Sequence, residues 1–143
     1  MAPAGTLSDT YLAAIQHDLA ELPPESTLVG VVRKPTRWFS GAVDENIPEL
    51  GPPDALLSET KIRQEDMKMQ GFCDEEAHNA AWEDCDFEAN YREHLQSGEA
   101  QEAMARLSER LDAGENLALV CFENTQKKRC HRTILREELD AIR

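Results

Sequence analysis

Side chains able to do chemistry are concentrated near the carboxyl terminus, in the stretch LALVCFENTQKKRCHR from Leu117 to Arg132. Its reactive groups belong to Cys121, Glu123, Cys130, His131 and Arg132. Thiols and imidazoles are the usual groups of nucleophilic and acid–base catalysis. We therefore predict that Cys130 or His131 performs any catalytic step, and that Glu123 orients His131 or an arginine.

The surroundings predicted for the two thiols differ. Cys130 falls near the first turn of a predicted helix, where the helix dipole and neighbouring basic side chains can lower its pKa and favour the thiolate. A small buried residue is an equally good interpretation of Cys130. For Cys121, which lies in the preceding strand, we favour a buried or supporting role. Adjacent Cys130 and His131 would point about 100° apart on a helix, so we predict no metal site, and we expect no cofactor.

A second group of basic residues lies far away in the sequence. Arg33, Lys34 and Arg37 follow the first apolar strand, and Arg132 belongs to the basic group that follows the second. Ligands of open α/β sheets bind beyond the carboxyl ends of the strands. We therefore expect an anion-binding pocket at that edge, with Arg33 and Arg132 holding a phosphate-like or carboxylate group. The opposing interpretation is a solvated face on which these residues pair with surplus carboxylates.

The partner predicted from these residues is an anionic small molecule or a nucleotide, and the residues are compatible with an enzyme and with a binding protein. The alternative is a non-enzymatic module that binds nucleic acid or protein through the basic edge. In that case Arg37 and Trp38 would support binding, because Trp38-Phe39 can stack on a base. The interpretation we favour for this pair is that a loop aromatic fills the edge of the core. A third, purely structural interpretation buries Cys130 and pairs Arg132 with Glu123.

Two apolar segments predict the strands that position these groups. They are TLVGVVR, Thr27–Arg33, and LALVCF, Leu117–Phe122. Continuous apolar runs of this length are typical of parallel strands covered on both faces. The pattern predicts an α/β fold with a small, mostly parallel sheet flanked by helices in three layers. We expect one domain over residues 1–143, with residues 1–6 as a loose arm, and Lys61–Met67 is the best candidate for a third strand.

Helical periodicity covers most of the remaining chain. A first helix is predicted from a cap at Thr6 or Ser8 to the prolines at 23 and 24, and residues 35–53 are predicted to lack regular structure. Further helices are predicted at about 53–60, 75–84, 86–95 and 100–111, the last ended by Gly114. The final helix is predicted to begin at a cap on Asn124 or Thr125 and to bury Ile134, Leu135, Leu139 and Ile142.

Composition limits the function classes. The formal net charge is −13, from 28 acidic and 15 basic residues. The overall field therefore repels acidic membranes, and no membrane partner is expected. An excess of acids with more arginine than lysine is typical of proteins adapted to concentrated salt. The four cysteines, without a signal segment or a run of transmembrane length, predict a cytoplasmic protein with reduced thiols.

The C-terminal pattern resembles the family called domain of unknown function 488. The resemblance rests on an apolar strand, Cys-x-Glu at Cys121 and Glu123, a short polar loop, and Cys-His-Arg at residues 130–132. The family commonly has Asp-x-Arg and a proline after an earlier strand; here Arg33 and Pro35 match, and Val31 replaces the acid. The resemblance implies an α/β fold and a polar pocket formed by these motif residues. With the acidic composition, it predicts an archaeal, halophilic member.

Overall fold

Over the residues that the structure describes, the fold contains a sheet of four strands, all of them parallel where they pair. The computed structural model describes residues 4–122 and 129–142. The strands are β1 (Leu7–Tyr11), β2 (Thr27–Gly30), β3 (Glu45–Asn46) and β4 (Leu117–Cys121). The helices are α1 (Leu12–Gln16), α2 (Arg37–Ala42), α3 (Asp54–Met69), α4 (Asp74–Asp84), α5 (Phe87–His94), α6 (Gly98–Asp112) and α7 (His131–Ile142), with a 3-10 turn at Pro48–Leu50.

The strand order is β1-β4-β2-β3, so the C-terminal strand lies inside the sheet. Leu117 of β4 pairs with Leu7 on one side and with Thr27 on the other. Every residue of β4 is buried, which explains its uninterrupted apolar sequence. Because the strands are parallel, β1, β2 and β4 all end at the same edge of the sheet. The chain segments that carry Arg33 and the Cys-His-Arg triplet therefore begin at one edge.

Helices cover both faces of this sheet. Val29 and Leu119 belong to the larger apolar cluster, which also contains side chains of α3 to α7. Leu28 and Val120 belong to a smaller cluster on the other face, built around Phe39 of α2 and side chains of α1. The alternation of neighbouring residues between the two clusters follows the two-residue period of a strand. The predicted α/β fold with a small parallel sheet flanked by helices is confirmed.

The predicted first helix is wrong over its N-terminal half. Leu7–Tyr11 forms β1, and only Leu12–Gln16 is helical. The apolar residues of this segment have helical spacing, but pairing with the open side of β4 satisfies the backbone of β1 along its length, and tertiary context overrides such local patterns. Residues 5 and 6 are also not a loose arm, because the Gly5 amide donates to the Leu111 carbonyl (2.6 Å) and the Thr6 amide donates to Asn116 Oδ1 (2.9 Å).

Two further predictions fail between residues 35 and 69. The connection 35–53 contains α2, β3 and the 3-10 turn; Thr36 Oγ1 accepts from the Phe39 amide (3.1 Å) and starts α2. The predicted third strand Lys61–Met67 lies inside α3. Its polar sequence suits a surface helix better than a parallel strand, which is normally covered on both faces. The two strands that the sequence analysis did not predict are β1 and the two-residue β3.

The later helices agree with the sequence. Ala100, Met104, Leu107 and Leu111 are all buried along α6, and Gly114 has a φ of 97°, the left-handed value that favours glycine after a helix. Ile134, Leu135 and Leu139 are buried in α7, whereas Ile142 is 47% exposed. The predicted cap at Asn124 or Thr125 lies outside the described residues. Over the described residues, no helix is both long and apolar enough to cross a membrane.

Candidate functional site

A cavity of about 430 Å³ opens at the carboxyl edge of the sheet. Its wall combines residues that follow β2, the end of β4, the start of α7 and the facing sides of α3 and α4. The lining residues used below are Arg33, Lys34, Lys61, Glu65, His78, Trp82, Phe87, Cys121, Phe122, Arg129, Cys130 and His131. Two segments more than eighty positions apart in the sequence thus meet at one cavity.

Arg33 is held at the rim of this cavity by neutral groups. Its Nε donates to the Pro52 carbonyl (3.2 Å), and its Nη2 donates to the Gly51 carbonyl (3.0 Å). Nη2 also lies 3.3 Å from Nε2 of His94, but that nitrogen donates to the Glu49 carbonyl (2.8 Å) and therefore has no lone pair for the guanidinium. Two backbone carbonyls orient the half-buried guanidinium without cancelling its positive charge.

Asn46 and Gly51 position the backbone around Arg33, and the sequence analysis predicted neither role. The Asn46 amide pairs with Val32 in the manner of a strand, accepting from its amide (3.2 Å) and donating to its carbonyl (3.0 Å). At Gly51, a Cβ would lie 2.3 Å from the Arg33 amide nitrogen. The chain at Gly51 can therefore pass over Arg33 only because glycine has no side chain.

His131 is buried at the floor of the cavity and is held in one tautomer. Its Nε2 donates to the Val31 carbonyl (2.5 Å), so Nδ1 carries the free lone pair. That Nδ1 lies 3.6 Å from the Sγ of Cys130. Burial, helped by the nearby Arg132 charge, lowers the pKa of His131 to about 4. The imidazole is therefore a neutral proton acceptor at neutral pH.

The two sulfurs at this floor are close together. Cys121 Sγ and Cys130 Sγ lie 2.6 Å apart, and both cysteines are buried. Burial, together with the neighbouring Cys121 sulfur, raises the pKa of the Cys130 thiol well above its usual value. The expectation that the helix start would lower this pKa is wrong, because the loss of hydration outweighs the attraction of nearby cations. The structure confirms that Cys130 is buried.

Arg132 lies behind the cavity rather than in it. Its side chain is only 2% exposed, and its Nε is 3.0 Å from Asp9 Oδ1. Its Nη1 donates to the Thr10 carbonyl and to Cys121 Sγ, the latter at 3.3 Å. Arg132 thus ties α7 to β1 and to the end of β4, and the guanidinium contacts Cys121, the thiol that we had expected to play the supporting part. Its predicted role as an anion ligand stays a prediction.

Helix α4 fixes the residue that precedes Cys130. His78 Nε2 donates to the Arg129 carbonyl (2.8 Å). The Arg129 amide donates to Asn79 Oδ1 (3.0 Å), and the Arg129 side chain pairs with Glu83. Three side chains of one helix therefore hold the entry to α7, and they place His78 and Arg129 on the cavity wall.

Arg37 and Trp38 lie elsewhere. They line a separate concavity with Gln16, Gly41 and Ala42, and neither borders the cavity of Arg33. Trp38 is 77% exposed, whereas its neighbour Phe39 is fully buried. The expectation that an aromatic of the Trp38-Phe39 pair fills the edge of the core is therefore met by Phe39, whereas Trp38 is exposed.

Some predicted features have no structural account. Glu123, Lys127 and Lys128 lie outside the described residues, so the predicted role of Glu123 stays a prediction. Within residues 4–122 and 129–142, no group of three or more side chains of the metal-binding types lies together.

The sequence model described as "Active DUF488-N3 subclade" matches residues 11–143. The chain belongs to the DUF488 family. No curated protein and no solved structure matches it. The match covers β4, the Cys-His-Arg triplet and Arg33. At position 31, where the DUF488 pattern has an acid, this member uses the backbone carbonyl of Val31 to hold His131.

Sequence reasoning missed Asp9, Lys61 and His78. A carboxylate partner for Arg132 was predictable, but Glu123 is nearer to it in the sequence than Asp9 is. Asp9 lies in a strand for which the sequence predicts a helix. Lys61 and His78 sit on α3 and α4, and nothing in their spacing indicates which helices face the cavity.

Proposed function

We propose that this DUF488 protein binds a small organic anion, of the size and type of a nucleotide, in the cavity at the carboxyl edge of its sheet. Arg33 holds the anionic group. The observation that supports this most is that Arg33 donates its hydrogen bonds to backbone carbonyls. Among the residues that the structure describes, no carboxylate pairs with this half-buried guanidinium, so it can bind an incoming anion bidentately.

The rest of the cavity wall agrees with such a ligand. Among the described residues, the charged side chains that line it are four cations, Arg33, Lys34, Lys61 and Arg129, and one anion, Glu65. Lys34 and Arg129 already pair with Asp54 and Glu83. Of the other two cations, Lys61 is exposed and Arg33 is held in place by hydrogen bonds, so we take Arg33 as the main anion ligand. A positive cavity in a protein of net charge −13 concentrates the field at one place and attracts anions there.

An apolar wall faces these cations. Trp82, Phe87 and Phe122 line the same cavity, and the rings of Trp82 and Phe87 stack with centroids 3.8 Å apart. Pockets that combine an apolar wall with a few polar groups are typical of small-molecule sites. The ligand class is therefore an anion attached to a ring or another apolar group.

The chemistry proposed for this cavity is proton transfer at its floor. His131 Nδ1 is an unprotonated acceptor, fixed by the bond from Nε2 to the Val31 carbonyl. Cys130 lies beside it with a proton on its sulfur at neutral pH. A neutral acceptor and a neutral donor side by side can act as general base and general acid. Arg132 supports the floor from behind, and Glu123 keeps its predicted orienting role.

The proposal is tested by titrating the protein with the four ribonucleoside monophosphates and with inorganic phosphate, and following binding by calorimetry. Arg33→Gln should lower the affinity for the bound anion at least tenfold. Arg37→Gln is the matched control, because Arg37 is four positions away but lines the other concavity, and it should leave the affinity unchanged. Failure of all five probes to bind, or equal affinities for wild type and Arg33→Gln, would contradict the proposal.

A second candidate is a non-enzymatic module that binds nucleic acid or protein through Arg37 and Trp38. The observation that favours it is the 77% exposure of Trp38 beside a basic residue, since exposed aromatics stack on bases. It predicts that Arg37→Gln, rather than Arg33→Gln, weakens binding to single-stranded oligonucleotides, with steep salt dependence. We further propose a cytoplasmic location, where thiols stay reduced, and adaptation to concentrated salt in an archaeal source.

A further inference from the structure

The two sulfurs at the cavity floor form a pair whose neighbours differ in chemistry. Cys121 Sγ accepts a hydrogen bond from the Arg132 guanidinium at 3.3 Å. Cys130 Sγ lies beside the imidazole Nδ1 of His131 at 3.6 Å. Between them, the sulfurs are 2.6 Å apart. The order of groups is therefore guanidinium, thiol, thiol, imidazole.

We propose that Cys121 and Cys130 form a reversible oxidation site, in which a hydroperoxide converts the two thiols into a disulfide. Cys121 is the attacking sulfur and Cys130 is the resolving sulfur. This site does not depend on the proposed anionic ligand.

The guanidinium decides which sulfur attacks. A cation within hydrogen-bond distance favours a thiolate, and the thiolate is the nucleophilic form. The cation contacts Cys121, whereas burial and the neighbouring Cys121 sulfur raise the pKa of Cys130 and keep its proton in place. The hydrogen bond from the guanidinium therefore distinguishes Cys121 as the attacking sulfur and leaves Cys130 as the resolving one.

The reaction balances with a hydroperoxide as the only oxidant. The Cys121 thiolate attacks the terminal peroxide oxygen, the O–O bond breaks, and the alkoxide leaves and takes up a proton as the alcohol. Cys121 is then a sulfenic acid. The Cys130 sulfur attacks the Cys121 sulfur, the S–O bond breaks, and the Cys130 proton passes by way of His131 Nδ1 to the departing hydroxide, which leaves as water. Two thiols and one hydroperoxide give one disulfide, one alcohol and one water.

The surroundings allow the reagents to reach the sulfurs. Both cysteines line the cavity, so a small peroxide enters from the opening although the side chains are buried. A disulfide needs about 2.05 Å between its sulfurs, so closing the bond takes a shift of roughly half an ångström. Disulfides of cytoplasmic proteins are usually transient or redox-sensing, and a dithiol reductant returns this one to the starting state.

Peptide mapping gives a direct test, because trypsin separates the two cysteines. Cleavage at Arg110, Lys127, Arg129 and Arg132 releases residues 111–127 with Cys121 and residues 130–132 with Cys130. The experiment uses the full chain with Cys73→Ser, which removes the exposed thiol. After hydrogen peroxide and alkylation of free thiols, non-reducing mass spectrometry should find these two peptides joined. Cys85, on a third peptide, serves as the internal control and should stay unlinked.

Single variants test the assignment of the two sulfurs. With Cys130→Ser, dimedone should label Cys121 as the trapped sulfenic acid; with Cys121→Ser, Cys130 should stay unlabelled and no link should form. In the chain with both thiols, Arg132→Gln should slow the link at least tenfold at neutral pH, and raising the pH should restore the rate, which loss of packing alone would not do. Oxidation of Cys85 without a 121–130 link, or equal dimedone labelling of Cys130 in Cys121→Ser, would overturn the proposal.

Discussion

Arg33 and Arg132 both serve the carboxyl edge of the sheet, and the sequence suggests the same anion-binding role for both, yet their surroundings differ. Arg132 is buried and its charge is matched by Asp9, with further bonds to the Thr10 carbonyl and Cys121. Arg33 is half-buried and held by the carbonyls of Gly51 and Pro52. One arginine has its counter-charge within the protein, and the other has neutral partners at the rim of a cavity.

The difference shows how a partner decides what a charged side chain can do. A buried ion pair gains little net stability, but removing one partner leaves an uncompensated charge and costs several kcal/mol. A rim cation held by neutral dipoles is oriented without being neutralised, so it keeps its attraction for an outside anion. Arg132 should therefore matter most to stability, and Arg33 most to binding.

The largest effect is expected from Arg132→Met. This change removes the buried partner of the Asp9 carboxylate, which is 21% exposed and keeps Arg136, and it removes the bond to the Thr10 carbonyl. We expect a loss of about 2–3 kcal/mol in the free energy of unfolding. Urea denaturation at neutral pH measures it. Arg136→Met is the matched control, because Arg136 contacts the same carboxylate from a position 44% exposed, and it should cost about 1 kcal/mol or less. Equal losses for the two variants would break the comparison.

The next effect is a pH dependence that comes from His131. Its folded-state pKa is about 4, below the usual value of about 6.5, so between these values the unfolded state binds more protons. Stability is therefore complete above about pH 6.5 and falls as the pH drops towards 4, by on the order of 2–3 kcal/mol. Unfolding curves of wild type and His131→Gln across this range should show the difference disappear in the variant. The exposed His17→Gln should behave as wild type, and an unchanged slope in His131→Gln would contradict the assignment.

A smaller effect tests the support of Arg33. In Gly51→Ala, the new Cβ would meet the Arg33 backbone at 2.3 Å, which should shift Arg33 and cost about 1–3 kcal/mol of stability. Gly41→Ala is the control: nothing lies within 4 Å of its Cβ position, and alanine in a helix should stabilise by up to about 1 kcal/mol. Thermal unfolding of the pair measures both, and a neutral Gly51→Ala would show that Arg33 is not tightly held.

The smallest change in stability is expected from Arg33→Gln. The side chain gives up hydrogen bonds to two carbonyls, and glutamine can replace part of them, so the loss should stay near 1 kcal/mol. A loss as large as that of Arg132→Met, measured in the same urea series, would mean that the two arginines contribute equally to the free energy of unfolding.

The fold class and the place of the cavity followed from the sequence because β2 and β4 are apolar throughout, and parallel strands put their carboxyl ends together. Strand β1 could not be predicted, because Leu7–Tyr11 acquires its conformation from pairing with β4, 110 positions away. The same error hid Asp9, and with it the true surroundings of Arg132. The pKa of Cys130 was misjudged for a related reason: the sequence shows its charged neighbours, but burial is a property of the packed fold.

The central claim is that an anion binds in the Arg33 cavity, and the two tryptophans offer a direct measurement. Trp82 lines that cavity, and Trp38 lines the other concavity. In Trp38→Phe, the only tryptophan left is Trp82, so its fluorescence reports on the cavity alone. Titration with nucleoside monophosphates should change this emission with saturation, and Arg33→Gln in the same background should abolish the change. Emission that responds in wild type but not in Trp38→Phe would place binding at Trp38 and contradict the account.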